Sequence, residues 1–359
     1  MIDPISFSKD WIFSFKQNKA FKKINPPVLE KMIQALALLE QLALHQLDFI
    51  FKGGTSLVLL LGKPSRFSVD IDIITKADRA TIEQILQKIV DNAHFDRFEL
   101  DEKRSYQMGI PKAHYFLYYQ SELNNKANYI LLDILLEDNL YPELLEVPID
   151  SPWLKTNKPL QTVSTPSINS IFGDKLTAFA PTTIGIPYAK NGISMSMEIG
   201  KQLFDLGGLL DEITDLNIAY QSFQKIAQKE LIYRGLSGYT TIEMVLNDTI
   251  ETALLLARRE RNKSEPDASR FRELRNGLQR FQSFLMTGRF SIEQAIERAA
   301  KVAYLATCFK HKQPESFTNL IGANDLIADP KYNFLNRYRK VKNATYLYWY
   351  NILKMENIE

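Results

Sequence analysis

Three aspartates are the residues of this sequence whose setting most clearly suggests chemistry. Asp70 and Asp72 lie two apart in a mostly apolar run, residues 67–74, and Asp133 lies in a second apolar run, residues 129–136. A carboxylate in such a run is costly to bury without a partner or a cation. If the first run is a strand, Asp70 and Asp72 project from the same side of it. We therefore predict that Asp70 and Asp72 hold Mg²⁺, which binds through one or two carboxylates, water and substrate phosphates. Asp133, in a similar setting, is a candidate for the same site or a paired structural acid.

A pair of glycines precedes these acids. Gly53 and Gly54 follow a short apolar run, residues 49–51. If that run is a strand, the glycines let the backbone turn tightly and approach a ligand, and a helix capped by Thr55 or Ser56 would point its N–H groups at the same place. A phosphate suits such a turn. The plainer alternative is a turn followed by an ordinary helix cap.

Composition bounds the class of protein. The 359 residues include 44 Lys and Arg and 42 Asp and Glu, so the net charge is +2 and any nucleic-acid surface must be local. The single cysteine, Cys308, excludes an internal disulfide and a cysteine-based zinc site, and we expect it in the core. No stretch approaches about 20 uninterrupted apolar residues, and no signal-peptide core is present near residue 1. We expect a cytoplasmic protein without a membrane partner.

The histidines do not extend the candidate site. They are scattered without the spacing of metal ligands, and no Ser-His-Asp order or Cys-His pair indicates a nucleophilic side chain; the four are His45, His94, His114 and His311. We expect them in packing or at the surface.

Hydrophobic spacing predicts helices around a sheet in the first part of the chain. Apolar residues three and four apart predict a helix from Pro26 to about residue 44, and a second helix is predicted after Asp78. Strands are predicted at residues 97–105, 113–121 and 129–136. Four prolines within residues 147–167 predict a linker or crossing segment.

Beyond the prolines the pattern is almost wholly helical. Helices are predicted over residues 168–179, 197–210, 217–230, 241–261, 271–286, 292–309 and 334–353. A Gly/Pro-rich stretch, residues 181–196, is expected to be a mobile loop at the mouth of a cleft.

The order of the glycines and aspartates resembles the nucleotidyltransferase fold. The longer pattern, Gly53-Gly54-Thr55 followed by Arg66-Phe67-Ser68-Val69-Asp70-Ile71-Asp72, resembles the AbiEii-type toxins of bacterial toxin–antitoxin and phage-defence systems, which include MenT-type toxins. The resemblance implies an α/β (α+β) protein. Its catalytic domain, residues 1–165, would be a mixed sheet flanked by helices, and a helical domain, residues 166–359, would close the cleft and bind the acceptor.

Two stretches of the helical half extend the resemblance. Asp174-Lys175-Leu176 looks like the family's acidic-Lys-Leu signature, with Asp174 where Glu is usual. The helix around Asp205 is a looser match, because Lys201 stands where Arg is common and Gln202 where an acid is common. Lys175 would offset phosphate charge, or be an exposed helix lysine. Asp205 would contact the nucleotide or position Lys175, or form a surface ion pair.

Carried over residue by residue, the resemblance implies a complete set of site residues. The metal ligands would be Asp70, Asp72 and Asp133, the catalytic set would add Lys175 and Asp205, and the nucleotide-binding set would be Gly53, Gly54, Thr55, Ser56, Arg66, Ser68, Lys175 and Lys201. Mg²⁺, in a two-metal site, and an NTP would be cofactor and co-substrate.

Two basic areas are candidates for contact with RNA. One comprises arginines between residues 258 and 280; in the other, residues 331–350, cations and aromatic residues interleave. Such a mixture suits RNA phosphates and base stacking, and it suits an ordinary amphipathic helix equally well.

These observations lead to one principal hypothesis. By resemblance, the protein transfers a nucleoside monophosphate from an NTP to an RNA end, most plausibly the 3′ end of tRNA, and a cognate antitoxin controls it. The first alternative is transfer to a protein or small-molecule hydroxyl. The second is a binding module without turnover, suggested by the departures at Asp174, Lys201 and Gln202.

Overall fold

The protein, described here by a computed structural model, divides into two compact units. The described residues are 1–22, 24–62, 65–92, 95–106, 109–323, 325–341 and 343–358. The first unit is Met1–Ser167 with Ser283–Gly288, and the second is Ile168–Gln282 with Arg289–Glu359.

The first unit contains helices and a seven-stranded mixed sheet. In chain order its elements are α1 (Lys9–Ser14), α2 (Pro26–Leu44), β1 (Ile50–Lys52), α3 (Gly53–Leu60), β2 (Ile71–Ile74), α4 (Arg79–Asn92), β3 (Arg97–Leu100), α5 (Glu102–Ser105), β4 (Lys112–Gln120), β5 (Ala127–Leu135), β6 (Leu144–Pro148) and β7 (Thr162–Pro166). The strand order in the sheet is β3-β4-β5-β2-β1-β7-β6. The pairs β1·β7 and β2·β5 are parallel, and the other neighbours are antiparallel.

Alternation along the strands decides which face of the sheet is packed. In β5, Ile130, Leu132 and Ile134 are buried in the core with the apolar side of α2, whereas Leu131 and Asp133 project from the other face. The helix α2 begins at Pro26, where a missing N–H costs no hydrogen bond. The apolar pattern of the sequence therefore leaves one side of the sheet available for polar side chains.

Several predicted boundaries are corrected. The predicted strand 97–105 ends at Leu100, because the Asp101 carboxylate accepts a hydrogen bond from the Arg104 N–H and caps α5. The strand predicted over residues 67–74 is regular only in β2; upstream, the Phe67 N–H donates to the Phe284 carbonyl at 2.8 Å. The predicted linker is wrong in part, because β6 and β7 pair within or beside it.

The second unit is helical apart from a small hairpin. Its elements are α6 (Ile168–Ala178), β8 (Ala189–Lys190), β9 (Ile193–Ser194), α7 (Ser196–Leu209), α8 (Leu216–Tyr233), α9 (Ile242–Arg258), α10 (Asp267–Phe281), α11 (Ile292–Lys310), α12 (Tyr338–Val341) and α13 (Asn343–Met355). The hairpin occupies the stretch that was predicted as a loop. Close packing of α6 on α8 requires Gly173, where a Cβ would lie 2.5 Å from the Ala219 carbonyl oxygen.

Within the described residues, the helices are all too short or too polar to cross a membrane.

Candidate functional site

A row of polar side chains crosses four neighbouring strands of the first unit. Lys52 of β1 lies opposite Asp72 of β2, Asp72 lies beside Asp133 of β5, and Asp133 lies opposite His114 of β4. Residues in register on neighbouring strands share a face, so these four side chains project from the same side of the sheet. The residue just before each of these four in its strand projects from the opposite side of the sheet and is buried. The structure therefore brings Asp72 and Asp133 together, as the sequence predicted.

Asp133 is held by two cationic or potentially cationic groups. His114 Nδ1 lies 2.5 Å from Asp133 Oδ1, and Arg104 Nη2 lies 3.3 Å from Oδ2. His114 is buried, and its Nε2 atom has no hydrogen-bond partner among the described residues. Each oxygen of the Asp133 carboxylate is thus oriented by a different side chain. The histidine that sequence spacing assigned to packing or surface lies at the site; His94 lies outside the described residues.

The glycine turn positions the first turn of α3 against the carboxylates. Gly53 has φ +80°, a left-handed conformation that strongly favours glycine, and a Cβ at this residue would collide with Asp72 Oδ2. At Gly54 a Cβ would lie 2.7 Å from Arg66 Nη2 and 2.8 Å from Ser68 Oγ. The absence of side chains on both glycines lets these polar groups pack around the N-terminus of the helix, where N–H groups and the helix dipole favour an anion.

The predicted helix cap at Thr55 or Ser56 is wrong. The helix α3 begins at Gly53 with Lys52 as its N-cap, and both hydroxyl residues lie inside the helix and are buried. Thr55 Oγ1 donates to the Asp70 carbonyl at 2.5 Å, and Ser56 Oγ donates to the Gly53 carbonyl at 2.9 Å. The Thr55 hydroxyl ties the turn to the aspartate segment, and the Ser56 hydroxyl bonds within the turn itself. Contact of Thr55 or Ser56 with a nucleotide stays a prediction.

Arg66 is a buried residue of the segment that leads into β2. Its Nη1 donates to the Phe67 carbonyl at 2.9 Å, and its backbone forms a bridge with Leu285. The guanidinium is thereby fixed beside Gly54.

Asp70 lies one residue before β2, and Lys31 of α2 lies near it. Burial lowers the pKa of Lys31, and the Asp70 carboxylate opposes that shift. The Lys31 ammonium also lies 4.6 Å from the centre of the Tyr129 ring. Sequence reasoning missed Lys31, because it is one of several polar residues on an amphipathic helix. It also missed Arg104, which lay in a segment predicted as a strand.

The carboxylates of Asp70, Asp72 and Asp133 are the candidate ligands for a divalent cation. Among the described residues, no group of three or more Asp, Glu, His or Cys side chains is arranged to hold a metal ion. The neighbouring carboxylates of Asp72 and Asp133 nonetheless fit Mg²⁺, which needs only one or two protein carboxylates when substrate phosphates supply other ligands. The two carboxylates therefore fit a cation whose other ligands are the phosphates of a bound nucleotide. Metal binding by Asp70, Asp72 and Asp133 stays a prediction.

In the second unit, Lys175 of α6 and Asp205 of α7 form a buried ion pair. Lys175 Nζ lies 2.7 Å from Asp205 Oδ2, and the two side chains are 7% and 3% exposed. Gln202 Oε1 accepts a longer hydrogen bond from the same ammonium at 3.5 Å. The alternatives of an exposed helix lysine and a surface ion pair are therefore wrong. Lys201 lies 4.0 Å from Glu198 on its own helix.

Several side chains of the two basic areas are engaged within the protein, whereas Lys331, Arg339 and Lys340 of the C-terminal area are exposed. Tyr346 and Trp349 of α13 are buried, so these aromatic side chains pack in the core; Lys342 lies outside the described residues. The arginines of the other area lie near acids: Arg258 and Arg270 near Asp267, Arg259 near Glu293, Arg272 near Glu265 and Arg275 near Glu260.

Comparison with known proteins identifies the family. The model of the nucleotidyl transferase AbiEii toxin family, type IV toxin–antitoxin system, matches residues 37–298. The chain therefore belongs to the AbiEii nucleotidyltransferase toxin family, and the resemblance noted in the sequence is confirmed. Family membership supports a nucleotidyltransferase rather than a binding module without turnover, and it implies an NTP substrate and an antitoxin partner.

Two of the solved structures that the chain matches are from Helicobacter pylori. JHP933 is 14% identical with a TM-score of 0.42, and the match covers 83% of this chain and 97% of that one. A putative nucleotidyltransferase of H. pylori is 14% identical with a TM-score of 0.40, covering 80% and 95%. An antigenic nucleotidyltransferase-like protein of Paracoccidioides brasiliensis is 16% identical with a TM-score of 0.35, covering 58% and 91%. Curated proteins gave no match.

Proposed function

We propose that the protein is a Mg²⁺-dependent, cytoplasmic toxin that transfers a nucleoside monophosphate from an NTP to an RNA end, most specifically the 3′ end of tRNA. The observation that carries the chemistry is the row of Asp72 and Asp133 beside the glycine turn. The family supports transfer of a nucleotide and control by an antitoxin. Blocked translation, and defence against phage, would be the outcome of the modification.

The reaction forms one bond and breaks one. An acceptor hydroxyl oxygen attacks the α-phosphorus of the NTP, the bond from that phosphorus to the oxygen bridging to the β-phosphate breaks, and pyrophosphate leaves. The hydroxyl loses its proton in the process. Since charge accumulates on the phosphate oxygens, catalysis consists largely of positioning and of offsetting that charge.

The residues of the first unit divide this work. Asp72 and Asp133, with Asp70 nearby, would hold Mg²⁺, which would offset phosphate charge when bound. Asp133 would in addition orient the acceptor hydroxyl or accept its proton, with His114 and Arg104 fixing its direction. The N-terminal turn of α3 and the Arg66 guanidinium beside it suit the triphosphate. The Ser68 hydroxyl lies beside Gly54 as well, next to the Arg66 guanidinium. The roles proposed for Lys175, Asp205 and Lys201 stay predictions.

The test is incubation of the purified protein with Mg²⁺, each α-³²P-labelled NTP and total tRNA. We expect labelled RNA with the wild type and with Glu146→Gln, which changes an exposed acid of β6 in the same sheet. We expect none with Asp72→Asn. Label that enters protein instead of RNA would assign the acceptor to the alternative class, a protein hydroxyl. Unchanged RNA labelling by Asp72→Asn would contradict the assigned site.

A further inference from the structure

The sheet face that carries the carboxylate row also carries three aromatic side chains. Phe116 and Tyr118 of β4 and Tyr129 of β5 lie on the same face as His114 and Asp133, because they are separated from these by even numbers of residues. The Tyr129 ring centre lies 4.9 Å from that of Phe116 and 5.9 Å from that of Tyr118. We call Phe116, Tyr118 and Tyr129 the aromatic face.

The aromatic face is accessible. Tyr129 is 40% exposed, and Phe116 and Tyr118 are half-buried. Cross-strand aromatic pairs stabilise sheets, and that role alone would explain rings in contact. It does not explain why large aromatic side chains on this face remain open to solvent while Tyr115 and Tyr119 of the same strand are fully buried on the other.

Two cations accompany the rings. The Arg97 guanidinium lies 3.7 Å from the centre of the Tyr118 ring, and Lys31 Nζ lies 4.6 Å from that of Tyr129. Glu99 accepts hydrogen bonds from Arg97 Nη1 and from the Tyr118 hydroxyl, both at 3.1 Å, which fixes the guanidinium over the ring. Aromatic rings interleaved with cations are the means by which proteins bind unpaired nucleotides, through base stacking and phosphate contacts.

The distance from the aromatic face to the carboxylate row indicates how a bound strand would be oriented. Tyr129 and Asp133 are four residues apart on β5, which is about 13 Å at roughly 3.3 Å per residue. Lys31 connects the two regions, since it lies over Tyr129 and near Asp70. A single strand stacked on the aromatic face would therefore have its end close to the carboxylate row.

We propose that the aromatic face binds the unpaired 3′ end of the acceptor RNA. Bases stack on Tyr118 and Tyr129, and phosphates contact Lys31 and Arg97, so that the terminal hydroxyl is delivered to Asp133. This assignment rests on the proposed transfer to RNA. It places acceptor recognition in the first unit, whereas the sequence had pointed to two basic areas of the helical unit.

The experiment measures RNA binding without catalysis. Fluorescence anisotropy of a short, 5′-labelled single-stranded RNA is recorded with EDTA and without NTP. The variant Tyr118→Thr/Tyr129→Thr keeps residues that favour strands while removing both rings. We expect its Kd to rise at least about tenfold, because stacking on each ring contributes measurably to affinity. Tyr118→Phe/Tyr129→Phe retains the rings and should bind within about twofold of the wild type.

A matched control is Tyr239→Thr, since Tyr239 is an 83% exposed tyrosine of the second unit. It should leave the Kd unchanged. Wild-type affinity in the Tyr118→Thr/Tyr129→Thr variant, with circular dichroism unchanged, would overturn the proposal; if that variant does not fold, Lys31→Gln replaces it and is expected to weaken binding several-fold.

Failure of this proposal is distinguishable from failure of the proposed function. If the wild type labels RNA but the ring-deleted variant binds and labels it equally well, the aromatic face is wrong and the reaction stands. If the wild type binds RNA through the rings but labels none, the reaction is wrong and the binding site stands. If the ring-deleted variant loses labelling of a protein while its RNA binding is unchanged, the face belongs to a protein acceptor, and the proposal is overturned.

Discussion

Removing one partner of the Lys175–Asp205 pair should destabilise the protein far more than removing both. In Asp205→Asn the ammonium of Lys175 remains buried without its carboxylate partner at 2.7 Å. Breaking a buried ion pair in this way typically costs about 3–5 kcal/mol. Asp205 also acts electrostatically on the partly buried Arg298. For a unit of this size, 1 kcal/mol corresponds to roughly 2–4 °C, so the unfolding temperature should fall by about 6–20 °C.

The double variant Lys175→Met/Asp205→Leu separates stability from function. It replaces the pair by apolar groups of similar volume, which is often neutral or stabilising. We expect its unfolding temperature, followed by circular dichroism at 222 nm, within a few degrees of the wild type. If Lys175 serves the reaction, as the family resemblance implies, the double variant will be folded but defective in nucleotide transfer; if the pair is only structural, transfer will persist.

Two results would refute this reasoning. The first is an Asp205→Asn protein that unfolds at the wild-type temperature, which would mean that the pair is not buried and coupled. The second is a double variant as unstable as the single one, which would mean that packing rather than charge dominates the cost.

Three further predictions concern other parts of the molecule. Gly53→Ala should abolish most transfer activity, because the new Cβ displaces the Asp72 carboxylate, whereas Gly109→Ala, with a similar positive φ but open space around it, should cost only about 1–2 kcal/mol of stability by chemical denaturation. His114→Asn should lower kcat for transfer more than it raises KM for NTP in steady-state assays, because it frees the Asp133 carboxylate to turn; equal KM and kcat effects would contradict that role. Burial raises the pKa of the Cys308 thiol to about 12, so thiol titration with a chromogenic disulfide should find no reactive cysteine in the native protein and one after unfolding, and rapid native reaction would show that this core is open.

The parts of the fold that follow local rules could be predicted from sequence. The helix after Pro26 and the strand around Asp133 follow from their apolar periods, and the mixed sheet with a helical second half is confirmed. The wrong predictions, the cap of α3 and part of the linker, depended on the conformation of one residue or on the pairing of two short strands. At the start of α3, Gly53 has a positive φ, which a glycine permits but does not require, so the sequence did not determine where the helix begins.

The site residues that could not be found from the sequence reach the site only because of how neighbouring strands pair. His114 has no distinguishing neighbour in the chain, and it reaches Asp133 because β4 pairs with β5 at that position. Lys31 and the aromatic face likewise gain their meaning from strand order. The aromatic run near the C-terminus gave the opposite lesson, because Tyr346 and Trp349 fit a stacking surface by type yet point into the core.

The most direct test of the central claim compares the wild type with Asp72→Asn for transfer of label from α-³²P-labelled NTP to tRNA, at equal folded concentration. We expect labelled RNA and released pyrophosphate that depend on the row of Asp72 and Asp133. Labelling should fall to background in the variant, whereas Glu146→Gln should remain active. Transfer by Asp72→Asn at the wild-type rate would show that the chemistry occurs elsewhere in the molecule.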